Sequence, residues 1–440
     1  MTKQVNKNKE YSNLRHFLLF CLMILLISLF AGSSCEKKIS DHSDSSNSIS
    51  DNKLIIEWNE IAYRIANEFD QFYTFKGVRA LAMTHLAIHD ALNSIIPKYE
   101  HYSFNYNEPD ADSIAAASQA AFDVLVSIYP QKRDSLQAIL DKWLSKIPEG
   151  NNKTLGIELG KNSAAAIIQK RKGDGYDQIA EYTPGTNIGD YRFTPGFDWV
   201  LAPGFRFAKP FGLNSVDQFR SPSPPPLTSS EYAESYTEVK KYGAAGSSFK
   251  SQDQTNYAHW WAEFAEHSLN RIGRITAAER KLPLWETARM FALINMTLFD
   301  IYLAIVDSKY FHNKWRPYTA IRMADKDDNP NTEPDTTWVP EMLTPPWPEY
   351  PSAHASCIAG GTVIIAQVYG SPNVHFTMES ITALPNNKTR SYDNLDDAAN
   401  ECANSRIMNG YHFRFSTEEG KKQGRRAAKY IISKCLQPLK

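Results

Sequence analysis

The chain is poor in cysteine and carries no excess of charge of one sign. Its cysteines are too few and too irregularly spaced for a disulfide scaffold or a CxxC zinc site: Cys21, Cys35, Cys357, Cys402 and Cys435. Lysine and arginine total 48 and aspartate and glutamate 49, so the net charge is −1 and no nucleic-acid partner is expected. Any anion site must therefore be local. The composition, 42% apolar and 22% charged, excludes a disordered, collagenous or polytopic membrane chain.

An uncharged apolar run lies near the amino terminus. Phe17 to Phe30 contains no charged residue, is too short for an ordinary spanning helix and follows several basic residues. This pattern predicts that residues 1–34 are a signal peptide.

Cys35 follows a run of small residues, Ala31 to Ser34, and the junction looks like the lipobox of a bacterial lipoprotein. It predicts a lipid anchor at Cys35, and simple cleavage to a soluble exported protein is the alternative. Residues 35–52 are rich in serine and aspartate and are predicted to be a flexible tether. We therefore expect an exported, membrane-anchored protein in the periplasm or at the cell surface.

Apolar residues recur at helical spacing over most of the remaining chain. Residues 53–250, the predicted N-terminal helical region, contain the segments Arg79–Ile95, Ser113–Ile128, Ser135–Ile147, Leu155–Lys172 and Ser229–Tyr242. Residues 251–440, the predicted C-terminal region, contain Gln252–Leu269, Ala277–Asp307, His354–Val368, Asp393–Met408 and Thr417–Cys435. Proline, glycine and aromatic residues interrupt the pattern between Gly173 and Pro226, which predicts a long ordered excursion over the surface.

Runs of alternating apolar and polar residues are too short to require a sheet. The predicted fold is therefore all-α, as one domain or as two tightly packed helical bundles.

Three segments of the C-terminal region carry the residues suited to chemistry. In chain order, the first contains Lys309 and Arg316, the second contains Ser352, Ala353 and His354, and the third contains Arg406 and His412. The second segment opens a helix, whose free amides and positive dipole end favour an oxyanion. The three cations would neutralise a multiply charged centre through short charge-assisted hydrogen bonds, and the histidines offer a ligand or nucleophile and an acid or base. The set indicates a phosphate or vanadate site.

Helix ends are predicted to position two of these segments. Ser352 is a good N-cap residue, and Gly410 is suited to end the helix that carries Arg406. Ser416 and Glu419 have the spacing of a capping box for the next helix. His412 would then be held between two anchored helix ends.

The three segments together resemble the pattern Lys-x6-Arg-Pro, Pro-Ser-Gly-His and Ser-Arg-x5-His of the vanadium-dependent haloperoxidases and the type 2 phosphatidic acid phosphatases. Further stretches, around Arg79 to Ala91 and Lys209 to Pro226, look like the bacterial haloperoxidase-like branch. The resemblance extends over about Leu54 to Cys435 and implies the helical-bundle fold of these enzymes.

The resemblance implies a vanadate cofactor and a role for each residue of the pattern. The oxyanion would be held by Lys309, Arg316, Ser352, the Ala353 amide and Arg406. His412 would bind vanadium through a ring nitrogen, His354 would act as acid and base, and Trp347 would flank the halide position.

Three functions are compatible with this site. The preferred one is a vanadate-dependent haloperoxidase, whose substrates are hydrogen peroxide and halide and whose product is hypohalous acid. An acid phosphatase would instead act on a phosphomonoester through a phosphohistidine at His412. A surface lipoprotein that binds oxyanions without turnover is the third.

This sequence departs from the family pattern at two positions. Ala353 replaces a glycine, and its methyl group restricts the backbone. Ser416 stands where many members have an aspartate, four positions after the histidine, which removes a possible carboxylate partner.

Other chemically capable residues are interpreted as structural. His85 and His89 lie one helical turn apart without a well-spaced third metal ligand. Cys357 is expected to be a buried thiol, Trp260 and Trp261 are expected to be core residues, and Glu263 is a candidate partner for an arginine.

Overall fold

The computed structural model describes residues 52–70 and 75–439. Thirteen α-helices lie in this part of the chain: α1 (Asn52–Phe69), α2 (Lys76–Asn93), α3 (Ser113–Ile128), α4 (Arg133–Leu144), α5 (Asn151–Lys170), α6 (Ser230–Tyr242), α7 (Gln252–Trp260), α8 (Ala265–Glu279), α9 (Leu284–His312), α10 (Pro317–Arg322), α11 (Ala353–Tyr369), α12 (Leu395–Met408) and α13 (Arg414–Lys434). The all-α prediction is confirmed. The predicted signal peptide, Cys35 and residues 36–51 lie outside the described residues.

Helix α9 is the centre of the fold. Its residues are apolar on every side, and it packs against α2, α8, α11 and α13. Within the described residues it is the one helix long and apolar enough to cross a membrane, but its apolar window is completely buried in protein. It is therefore the core helix of a folded bundle. Lys309 lies in its last turn and is buried in the interior.

Helices α11 and α13 pack closely through glycines of α13. A β-carbon on Gly424 would lie 1.9 Å from the carbonyl oxygen of Ser356, and one on Gly420 would lie 2.6 Å from that of Ser352. The absence of side chains at these positions lets α13 contact the first turns of α11. This contact places the start of α11 beside the residues that precede α13.

The proline-rich excursion is ordered, as predicted, and is attached to the core by Asp300 of α9. The carboxylate of Asp300 accepts hydrogen bonds from the amides of Phe211, Gly212 and Leu213 at 2.6, 2.6 and 2.8 Å. Burial raises the pKa of Asp300 to about 6, although these amide bonds favour its charged form.

Two sequence predictions about elements are wrong. The predicted helix Gln252–Leu269 is broken between α7 and α8, and the segment Ala277–Asp307 is divided where Pro283 precedes α9. An antiparallel hairpin also forms, from β1 (Phe376–Glu379) and β2 (Thr389–Tyr392), whose strands are too short to give a periodic signal. The described residues belong to one compact unit. The proposed boundary near residue 250 stays a prediction.

Candidate active site

The three predicted segments meet around His412. Lys309 lies at the end of α9, Arg316 precedes α10, and Ser352 precedes α11. Arg406 lies in the last turn of α12. His412 follows in the connection to α13, which begins after Gly410 has reversed the chain with a φ of 77°.

Lys309 is completely buried and is held by backbone carbonyls. Its Nζ donates to the oxygens of Pro348 and Glu349 at 2.6 and 2.9 Å and lies 5.0 Å from the ring centre of Trp347. Burial, followed by the positive charge of Arg316, lowers the pKa of Lys309 well below its usual value, while Glu349 opposes the change. Two of its three hydrogens are used, so one donor remains for an oxyanion.

Arg316 joins two segments of the site. Its Nε donates to the carbonyl of Trp347 at 2.7 Å, and its Nη1 donates to the carbonyl of Tyr411 at 3.0 Å. The same Nη1 lies 3.1 Å from Nε2 of His412. Burial lowers the pKa of Arg316 to about 10, so the guanidinium stays charged at neutral pH.

His412 has a carboxylate partner that the sequence did not predict. Its Nδ1 lies 2.7 Å from Oε1 of Glu349, a residue that is fully buried and that precedes the Pro-Ser-Ala-His segment. Burial raises the pKa of Glu349 to about 7, against the opposite effects of Lys309 and Arg316. The sequence marks Glu349 only as an acidic residue among prolines and aromatic residues, and no helical spacing connects it with His412.

Arg406 and His354 are both anchored by the break between α7 and α8. Arg406 Nη1 donates to the carbonyl of Trp261 at 2.9 Å, and Nε2 of His354 donates to the carbonyl of Glu263 at 3.0 Å. These carbonyls are available because the helix stops there. A carbonyl only accepts, so Nε2 of His354 carries a hydrogen and, in the neutral ring, Nδ1 carries the lone pair.

The start of α11 presents a free hydroxyl. Ser352 is the N-cap residue, as predicted, but its side chain makes no capping bond, and within the described part of the chain its buried Oγ has no hydrogen-bond partner. Its amide instead donates to the carbonyl of Ser416 at 3.1 Å. Ala353 occupies the first turn of α11, a conformation that alanine adopts readily, so the fold accommodates the missing glycine.

The capping-box prediction for Ser416 and Glu419 is wrong. Helix α13 begins at Arg414, with Phe413 at the N-cap, and the Phe413 amide donates to Oε1 of Glu349 at 3.2 Å. Ser416 therefore lies inside the first turn. Its Oγ is 3.4 Å from Nδ1 of His412.

The remaining sequence interpretations have mixed outcomes. Glu263 does pair with an arginine, but the partner is Arg271, which lies outside the site. Its Nη1 is 3.0 Å from Oε1 of Glu263. Cys357 is buried, and burial raises the pKa of its thiol well above the usual value, as expected for a structural residue. His85 and His89 have separate partners, Asn59 and the Glu100 carbonyl, and the described residues contain no group of metal-binding side chains.

The electrostatics of the site favour an anion. Three buried cations face one carboxylate, and all three lower the pKa of both His354 and His412, although burial is the larger cause. Both imidazoles are therefore held neutral. Several buried polar atoms here have no hydrogen-bond partner among the described residues: Arg406 Nε, Ser352 Oγ and Trp347 Nε1. A bound oxyanion would supply acceptors to the first two and would balance the excess positive charge.

Comparisons with known proteins agree with this geometry. The family model described as the VCPO second helical-bundle domain matches residues 289–440, which contain every residue of the three segments. Vanadium chloroperoxidase of Curvularia inaequalis is 26% identical, in a match that covers 65% of this chain and 59% of that enzyme. The chain thus matches less than two thirds of that relative's length.

Solved structures show the same fold. A bacterial vanadium-dependent iodoperoxidase has a TM-score of 0.74 at 22% identity, with 88% of this chain and 97% of that chain covered. A holo-type bacterial vanadium-dependent chloroperoxidase has a TM-score of 0.65 at 16% identity, with 82% and 90% covered. The matched domain and the shared fold lead to one conclusion: residues 289–440 match the second helical-bundle domain of the VCPO family model, and the chain has the helical fold of the bacterial vanadium-dependent haloperoxidases.

Proposed function

We propose that this protein is a vanadate-dependent haloperoxidase that oxidises halide with hydrogen peroxide to hypohalous acid. The observation that carries the proposal is the contact between Nε2 of His412 and Arg316, at 3.1 Å, within a buried cluster of cations. It places an imidazole lone pair where an oxyanion would be neutralised. The named relatives, a chloroperoxidase and an iodoperoxidase, support the oxidative reaction over phosphate-ester hydrolysis.

The donor set fits vanadate. Lys309, Arg316 and Arg406 would hold its oxygens together with Ser352 Oγ and the Ala353 amide, and Nε2 of His412 would be the protein ligand to vanadium. When bound, vanadate would supply a Lewis acid that polarises peroxide without a change of oxidation state.

His354 is assigned the proton transfer. Conversion of halide and hydrogen peroxide to hypohalous acid and water consumes one proton per halide. His354 is only partly buried, whereas His412 is buried, so His354 is the histidine that can exchange protons with solvent. With Nε2–H fixed on the Glu263 carbonyl, Nδ1 is the atom that takes up and delivers the proton.

Trp347 is assigned to the halide position. Its ring is buried against Phe75, at 6.1 Å between ring centres, and beside the Lys309 ammonium. An apolar ring next to a cation offers a weakly hydrated anion a site with little competition from water.

Vanadate-dependent halide oxidation tests the proposal. The full-length protein, freed of bound anion, should oxidise bromide or iodide with peroxide only after addition of orthovanadate, and inorganic phosphate should suppress the activity by competition. Efficient hydrolysis of a phosphomonoester without vanadate would identify a phosphatase instead. Tight phosphate or vanadate binding with neither activity would indicate a non-catalytic binding protein.

Export and lipid attachment are proposed from the sequence alone. Radiolabelled fatty acid should be incorporated into the full-length protein and not into the Cys35→Ala variant. Incorporation into both would reject the anchor.

A further inference from the structure

We propose that Glu349 is a positioning residue that fixes the tautomer of His412, and that it does so in place of a carboxylate at position 416. The proposal rests on the proposed function, because it concerns the histidine assigned as the vanadium ligand. It places in the loop before α11 the carboxylate partner that this sequence lacks at position 416.

Two neighbours of His412 require the same tautomer. Oε1 of Glu349 accepts from the Phe413 amide, so it is an acceptor oxygen, and its 2.7 Å contact with Nδ1 requires a hydrogen on that nitrogen. A guanidinium only donates, so Nη1 of Arg316, at 3.1 Å, requires a lone pair on Nε2. The ring is therefore neutral with its lone pair directed to the cationic cluster, which is the state needed for a ligand or nucleophile.

Glu349 is itself held firmly. Its carbonyl accepts from Lys309 Nζ at 2.9 Å, its amide donates to the Lys314 carbonyl at 2.8 Å, and Oε1 also accepts from the Phe413 amide at 3.2 Å. The carboxylate thus joins the segment after α9, the loop before α11 and the segment after α12. A residue fixed from three sides can orient an imidazole with little loss of entropy on binding.

Ser416 does not perform this task. Its Oγ is 3.4 Å from Nδ1, a longer contact than that of Glu349. A hydroxyl both donates and accepts, so it is compatible with either tautomer, whereas a carboxylate enforces one. Position 416 is nevertheless close enough to His412 for an aspartate there to reach Nδ1. This proximity gives the proposal a rescue test.

The test compares Glu349→Ala, Glu349→Ala/Ser416→Asp and Ser416→Ala in the full-length protein. Equilibrium binding of orthovanadate and of inorganic phosphate is measured by calorimetry, and the His412 tautomer by ¹⁵N NMR of histidine-labelled protein. We expect Glu349→Ala to weaken binding of both anions about 10- to 100-fold and to move the ¹⁵N resonance of His412 Nδ1, which loses its acceptor. The double variant should recover most of the affinity and the original resonance, and Ser416→Ala should change the affinity less than about twofold.

Several outcomes would overturn the proposal. These are unchanged affinity in Glu349→Ala, no recovery in the double variant, or an equal loss in Ser416→Ala. If Glu349→Ala does not fold, as judged by circular dichroism, Glu349→Gln takes its place. This variant keeps the shape but can donate to Nδ1, and we expect about a 10-fold loss of affinity; unchanged affinity would reject the role.

The binding readout separates this proposal from the proposed function. If the wild-type protein oxidises halide but Glu349→Ala binds vanadate normally, the positioning role fails and the function stands. If the wild type has no halide oxidation but the affinity loss and its rescue are observed, the positioning role stands and the function fails.

Discussion

Arg316 and His412 contact each other in the protein interior, with Nη1 of the guanidinium 3.1 Å from Nε2 of the imidazole. The guanidinium also holds the carbonyls of Trp347 and Tyr411, so it connects the loop before α11 with the connection after α12. An oxyanion that enters this cluster would replace Nε2 as an acceptor for Arg316 and would receive the Nε2 lone pair. The same contact therefore joins two segments of the free site and would be replaced when the proposed oxyanion binds.

His412→Ala should remove halide oxidation while leaving the fold intact. The variant loses the only imidazole lone pair directed at Arg316 among the described residues, so activity should fall at least about 100-fold. His375→Ala is the matched control, because His375 lies at the surface, with a side chain 60% exposed, and pairs only with exposed Asp393 in the described structure. Peroxide-dependent halogenation by both variants, with circular dichroism, checks the prediction. Full activity in His412→Ala would show that the site is assigned wrongly.

Arg406→Lys should weaken oxyanion binding although it keeps the charge. Lysine cannot both donate to the Trp261 carbonyl and present the planar pair of donors that includes Nε. We expect an increase of about 10-fold in the dissociation constant for vanadate, equivalent to about 1.4 kcal/mol. Arg425→Lys, at a surface pair with Asp396, should bind as the wild type does. Equal affinities of the two variants in calorimetry would argue against a role for Arg406.

Ser352→Ala distinguishes a ligand-binding hydroxyl from a helix cap. Because Ser352 makes no side-chain capping bond, its removal should leave the free energy of unfolding within about 0.5 kcal/mol of the wild-type value. Vanadate affinity should fall about 10-fold, as expected for loss of one hydrogen bond to a charged group. Urea unfolding and calorimetry measure the two quantities. A loss of about 1 kcal/mol of stability with unchanged affinity would instead identify a cap.

Glu266→Gln should alter how stability depends on pH. Glu266 is buried in α8, where Tyr302 donates to its Oε2 at 2.5 Å, and burial raises its pKa from 4.5 to about 7. The folded state therefore binds a proton more tightly than the unfolded state does, and this group's contribution to stability is lost as pH rises from about 4.5 to about 7. Over this pH range the contribution of Glu266 to the free energy of unfolding falls by about 3 kcal/mol.

Urea unfolding of both proteins between pH 4.5 and 8 measures this effect. Glutamine has the same shape and no charge, so the variant should gain stability relative to the wild type as pH rises through this window. A constant difference between the two proteins would show that the pKa of Glu266 is the same in the folded and unfolded states.

The sequence allowed the clustering of these side chains to be predicted because they lie in short segments with fixed spacings, and their roles stay predictions. Lys309, Arg316, Arg406 and both histidines meet as those spacings indicate. Helices with long amphipathic patterns, such as Ser113–Ile128, were also predicted correctly.

The residues that were missed act through tertiary contacts that leave no periodic signal. Glu349 reaches His412 from 63 positions away in the chain, and its role depends on the packing of a loop. The carbonyls of Trp261 and Glu263 become acceptors only because a predicted helix breaks there. The capping box at Ser416 failed because α13 already begins at Arg414, where the Phe413 amide contacts a carboxylate that is distant in the sequence.

A crystal structure of the full-length protein with orthovanadate tests the central claim most directly. We predict one vanadium centre bonded to Nε2 of His412, with its oxygens contacting Lys309, Arg316 and Arg406. Vanadate bound elsewhere, or His412 Nε2 still bonded to Arg316 in crystals that contain saturating vanadate, would contradict it.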